Sequence, residues 1–130
     1  MNILNPSSIY APFAQYAHGV EIAPGARLVV CSGQLGVKKD GSIPPDAERQ
    51  TEVALANVEA ILREAGMDRR HIVRFSAFVT GREHLAGYMA ARDRFISDLD
   101  NPPASTLMIV SGFARPELLV EVEVIAAEEV

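Results

Sequence analysis

The spacing of apolar positions changes several times along the chain, and each change predicts an element. Leu28-Val29-Val30-Cys31 is a short apolar run ending at Ser32-Gly33, the pattern of a strand. His18 to Ile22 predicts another short strand before it, with Pro24-Gly25 as the turn between them. Asn5 to Phe13 carries Pro6 and Pro12 and reads as an extended arm. After the turn Lys39-Asp40-Gly41 and the pair Pro44-Pro45, the period becomes helical from Asp46 to Ala65. Leu55, Val58, Leu62 and Ala65 form one stripe there, Glu48, Glu52, Glu59, Arg63 and Glu64 mostly take the wet faces, and Gly66 is placed to end the helix. His71 to Val79 alternates Val73, Phe75, Ala77 and Val79 with Arg74 and Ser76. Thr80 and Glu83 have capping-box spacing and predict the start of a second helix. Its stripe is Leu85, Tyr88, Met89, Arg92, Phe95 and Ile96, and Asn101-Pro102-Pro103 stops it. Thr106 to Val110 is β-prone. From Leu118 to Ala126, Val120, Val122 and Val124 oppose Glu121 and Glu123, and Glu128-Glu129 follows as a solvated tail.

Two helices against one mixed sheet make a two-layer α+β domain over residues 1–130. The helices can cover only one face of that sheet, yet alternation puts Ile72 and Phe78 on the other face, beside Arg74 and Ser76. Leaving large apolar side chains wet wastes several kcal/mol at ~25 cal/mol per Å². The pattern therefore predicts that the open face is covered by further copies of the chain, in a closed cyclic assembly.

Composition narrows the function. Twelve basic against 17 acidic residues give a formal charge of −5, and Lys38 and Lys39 are the only lysines. Nucleic-acid binding relies on cationic side chains and counterion release, so this balance disfavours it. No apolar window reaches the ~18 residues of a membrane span. Cys31 is a single cysteine in an apolar strand and has no partner for an internal disulfide, and Met1 to Tyr10 lacks the charge and apolar core of a secretory signal, so the cytoplasm is the expected compartment. His18, His71 and His84 show no metal-ligand spacing, and Gly33-Gln34-Leu35-Gly36 lacks a phosphate-loop signature. No metal is expected. Two candidates for chemistry remain. Glu121 and Glu123 share one strand face ~6–7 Å apart, at a solvent edge or at a site. Arg92 interrupts an apolar stripe, either packing its stem with the head in water or aiming its guanidinium into a cleft.

Tyr16-Ala17-His18-Gly19-Val20, Cys31-Ser32-Gly33-Gln34, Ala54-Leu55-Ala56-Asn57-Val58, Ala65-Gly66, Pro103-Ala104-Ser105 and Val120-Glu121-Val122-Glu123-Val124-Ile125-Ala126 occur in that order. Together they resemble the Rid family (reactive intermediate deaminase, YjgF, L-PSP-like) over nearly the whole chain. The resemblance implies a chorismate-mutase-like fold and a homotrimer with a central β-barrel, helices outside and a cleft at each subunit interface. It also implies hydrolysis of an enamine or imine such as 2-aminoacrylate to a 2-keto acid and ammonia, with no cofactor. It points to Glu121 and Tyr16 as the groups that place water and substrate, with Phe13 as a rival for Tyr16, and to Ser32 and Gly33 as cleft lining. Three positions depart from the family pattern. His18 stands for a glutamine and Met89 for an asparagine, and the Pro-Ala-Arg-Ser segment reads Pro103-Ala104-Ser105-Thr106, so the carboxylate-binding arginine is replaced by Ser105. Ser105, Thr106, His18 and Arg92 are the expected substrate contacts. The alternative is a non-catalytic metabolite-binding or regulatory trimer using the same clefts.

Overall fold

The computed structural model describes residues Met1–Val130. In chain order the elements are β1 (Asn2–Leu4), β2 (Gly19–Glu21), β3 (Arg27–Val30), β4 (Gln34–Leu35), α1 (Ala47–Glu64), β5 (Ile72–Val79), α2 (Leu85–Phe95), β6 (Ala104–Ile109) and β7 (Val120–Glu128), with 3-10 turns at Arg69–His71 and Arg82–His84. β1 and β2 pair antiparallel in a small sheet of their own. The main sheet runs β3-β7-β5-β6, and β4 adds to β7. β5 and β6 are parallel, joined through α2, while the other pairs in the main sheet are antiparallel. The fold is α+β with a mixed sheet, as the sequence predicts.

Local chemistry sets the boundaries of α1. The Asp46 carboxylate accepts from the Arg49 N–H at 2.9 Å and caps the first turn. Gly66, at φ 72°, supplies the left-handed residue that ends it. Val120, Val122, Val124 and Ala126 on β7, with Phe75, Ala77 and Val79 on β5, face Leu55, Val58 and Leu62 on α1 and Tyr88 on α2, and all are buried. Phe75 meets Phe95 edge to face, with centroids 6.5 Å apart.

Two expectations are corrected. Thr80 and Glu83 form no capping box: Gly81 heads the 3-10 turn with no side-chain cap, and α2 begins only at Leu85. The register between β5 and β7 shifts between Ile72 and Arg74, a β-bulge that turns Ile72 into the core, so of the two only Phe78 stays on the open face. Ahead of the Asn5–Phe13 arm the structure adds β1, which is too short for a periodic signal.

Gly36 shows how tightly α1 sits on the sheet. A Cβ there would lie 2.5 Å from Gln50 Cβ and 2.6 Å from Gln50 Cα. Gln50 cannot move, because its buried amide donates to the Pro44 and Glu117 carbonyls at 2.9 and 2.8 Å and accepts from the Leu119 N–H at 2.9 Å. Gly36→Ala is expected to cost about 1–3 kcal/mol, measured as a lower urea midpoint at unchanged slope. An unchanged midpoint would contradict this close approach.

Candidate functional site

The face of the sheet away from the helices carries Glu121 and Glu123 of β7. In register beside them lie Phe78 and Ser76 of β5, then Met108 and Thr106 of β6. This is the apolar but charge-bearing face that alternation predicts, and Val30 lies on it 74 % exposed. Glu121 makes no hydrogen bond or ion pair within the chain. Its carboxyl group is held instead by packing: a Cβ at Gly33 would stand 2.6 Å from Glu121 Cδ and 2.8 Å from Oε1. Gly33 has no positive φ, so contact rather than backbone conformation demands glycine there. The segment is fastened from both sides. Gln34 Nε2 donates to the Ser32 carbonyl at 3.2 Å, and Asn57 Nδ2 on α1 reaches the Leu35 and Val37 carbonyls at 3.5 and 3.4 Å. Ser32, Gly33 and Glu121 thus form one unit.

A second group lies at the β6 edge. Ala17 bridges to Ala104 in parallel, and its N–H donates to the Pro103 carbonyl at 3.0 Å, which places Tyr16 and His18 beside the start of β6. Tyr16 is half-buried and meets Phe13 and His18 edge to face, at centroid distances of 5.6 and 5.8 Å. His18 donates from Nε2 to the Tyr10 carbonyl at 2.6 Å, so its ring orders the arm. Phe13 and Tyr10 are over four-fifths exposed.

Ser105 pairs with the core residue Phe75 and so points toward the helices, on the opposite side of the sheet from Glu121. Beneath it Arg92 is buried at 2 % exposure. The guanidinium head is not in water. NH1 donates to Ser105 Oγ at 3.4 Å, NH2 and Nε donate to Asp93 Oδ1 at 3.0 and 3.3 Å, and the head lies 5.8 Å from the Tyr88 ring. Tyr88 is fully buried and its hydroxyl has no hydrogen-bond partner; burial pushes its pKa up to about 12 despite the neighbouring cation.

Within one chain the expected residues therefore fall into two groups. Ser32, Gly33 and Glu121 share the open face. Tyr16, His18, Ser105 and Arg92 gather at and under the β6 edge. Thr106 lies on the open face and accepts from Arg74 NH2 at 3.0 Å. Sequence reasoning missed Arg74, the one cation on that face, and Tyr88. Arg74 looked like the polar half of an alternation, although its offset of two from Ser76 was a visible signal. Tyr88 looked like plain core. No helix is long and apolar enough to cross a membrane.

Comparison with known proteins agrees with the fold and with the ordered motifs. Residues 7–128 match the endoribonuclease L-PSP family. A RutC family protein of Pasteurella multocida is 27% identical over 97% of both chains. A 2-iminobutanoate/2-iminopropanoate deaminase of Escherichia coli K12 is 29% identical over 89% of both. Among solved structures, YyfB of Yersinia pestis, a protein of unknown function in the conserved Rid protein family, superposes with a TM-score of 0.86 at 31% identity and 98% coverage of both chains. E. coli TdcF with bound serine gives 0.74 at 25% identity, covering 99% of this chain and 100% of that one. The family match over almost the whole length places this chain in the Rid (YjgF, L-PSP) family.

Proposed function

We propose that the protein hydrolyses a small imine or enamine carboxylate at clefts between copies of a homotrimer. The observation that carries this reading is the Glu121 carboxylate, unpaired within the chain and held against Gly33 on an apolar face. An apolar face covered by further copies needs every carboxylate on it either paired or used in chemistry. Association also offers a way to bring the Glu121 group of one copy to the Tyr16–Ser105 group of another, which one chain keeps apart.

The reaction adds water across C=N and expels ammonia, leaving a 2-keto acid: the imine carbon gains the water oxygen, and both water protons end on nitrogen. Glu121 orients the water and takes its proton in transit, Tyr16 orders the substrate, and exclusion of bulk water is left to the seam. With serine at position 105, the substrate carboxylate is met by hydroxyls rather than by a bidentate guanidinium. That change costs ~1.5–3 kcal/mol of binding.

Ammonia release from 2-aminoacrylate and 2-iminobutanoate tests the reading. Wild type is expected to turn over at least one of them, and Glu121→Gln to lose about 100-fold or more at unchanged melting temperature. Absence of turnover on an imine panel would sink it. The sequestered Arg92 favours a second reading, a metabolite-binding trimer without catalysis. A 2-keto acid that raises the melting temperature equally in wild type and Glu121→Ala, and is never consumed, would establish that one.

A further inference from the structure

Arg92 is the one fully buried charged residue of the chain. Taking a guanidinium out of water is costly, and a buried ion pair that serves the fold alone can often be replaced by apolar side chains without loss. The head is held unevenly. Nε and NH2 both donate to Asp93 Oδ1, at 3.3 and 3.0 Å, which fixes its plane from one edge. The NH1 corner is aimed at β6 and donates to Ser105 Oγ at 3.4 Å. The Asp93 side chain is 43% exposed against 3% for Arg92. The countercharge is therefore hydrated and screened, while the cation lies in a drier layer with Tyr88, where its field is stronger. These contacts use three of the five N–H groups of the guanidinium, and the buried Tyr88 hydroxyl in the same layer has no partner either. Ser105, half-buried at the start of β6, is where this cluster reaches the surface beside the Tyr16–His18 segment.

We propose that Arg92 is a positioning residue for the ligand's carboxylate and acts through Ser105. A serine hydroxyl has one hydrogen and two lone pairs. The guanidinium donates to Oγ from the helix side, so it occupies a lone pair there and turns the hydrogen away from the cation, toward the outside of the β6 edge. The same contact draws electron density from Oγ and makes the O–H a stronger donor. Such a hydroxyl prefers a carboxylate oxygen to a neutral carbonyl, because the negative charge of the acceptor also meets the field of the buried cation. Arg92 itself touches no ligand. Its orientation is locked by Asp93, and its charge is delivered through one hydroxyl. Together the two residues set a preference for an acid over its amide. The inference rests on the small carboxylate of the preceding reading but not on its turnover.

Titration calorimetry with 2-oxobutanoate and its neutral amide, 2-oxobutanamide, tests this on the whole protein. Wild type is expected to bind the acid more tightly than the amide. Ser105→Ala and Arg92→Met are each expected to raise Kd for the acid about tenfold, and Arg92→Met to leave Kd for the amide within about threefold. The double variant is expected to lose no more than either single, because the cation acts through the hydroxyl. Ser105→Thr keeps the hydroxyl and is expected to bind the acid within about threefold of wild type. Arg92→Gln, neutral but still able to bond Ser105, is measured beside Arg92→Met, so that loss of charge is separated from loss of folding; the same selective loss is expected. Equal losses for acid and amide, additive losses in the double variant, or a wild type that does not bind the acid would each overturn the proposal. Ammonia release that fails while these constants change as expected would remove hydrolysis and leave the role of Arg92 standing. Ammonia release with acid binding unmoved in the Arg92 variants would do the reverse.

Discussion

Gly33→Ala is expected to fold normally and to lose about 10²–10⁴ of its activity. The methyl group would arrive 2.6 Å from Glu121 Cδ and 2.8 Å from Cγ and Oε1. Something must move, and the cheapest movement is a new rotamer of Glu121, which no hydrogen bond or ion pair within the chain holds. That is an off-site adjustment of roughly 0.5–1.5 kcal/mol for the fold. For the chemistry it removes the positioned carboxylate, and a misplacement on the order of 1 Å is enough to cost ~10². The decisive comparison is a double variant. In a Glu121→Gln background, Gly33→Ala is expected to add almost nothing, because both changes remove the same function. Additive losses would mean that Gly33 acts independently of Glu121, and wild-type activity in Gly33→Ala would dissociate Glu121 from the reaction.

This contact also shows what sequence alone could and could not deliver. The strand around Glu121 was legible because a period of two survives without neighbours: Val120, Val122 and Val124 went to the core and Glu121 and Glu123 to the open face. The α1 boundaries were legible because Asp46 and Gly66 act locally. Ile72 was misassigned because a single bulge inverts the alternation, and no nearby residue announces it. Thr80 and Glu83 had the spacing of a cap without its geometry. The relation between Gly33 and Glu121 spans 88 positions, and that between Arg92 and Ser105 crosses from helix to strand; such pairs exist only after folding.

The second large effect concerns position 105, where the family resemblance implies an arginine and this chain carries Ser105. Ser105→Arg alone looks like a restoration, but it is expected to destabilise the protein. The space below position 105 already holds a guanidinium, with Arg92 NH1 3.4 Å from Ser105 Oγ and Arg92 98% out of solvent. Two like charges about 4 Å apart repel by ~4 kcal/mol at the effective dielectric of a protein interior, and the added atoms overpack the layer under β6. Asp93 neutralises one guanidinium and has no capacity to spare for both. The single variant is therefore expected to melt about 10 °C lower. Adding Arg92→Met clears the space and removes the repulsion. Methionine keeps most of the stem volume against Tyr88, whose unpartnered hydroxyl then becomes available to the new guanidinium. The Arg92→Met, Ser105→Arg pair is expected to recover most of the stability and to gain at least tenfold in kcat/KM toward 2-aminoacrylate, the value of a charge-assisted grip on its carboxylate. A Ser105→Arg protein as stable as wild type would show that Arg92 does not occupy that space. A stable double variant with no gain on carboxylate substrates would move the anchor away from position 105.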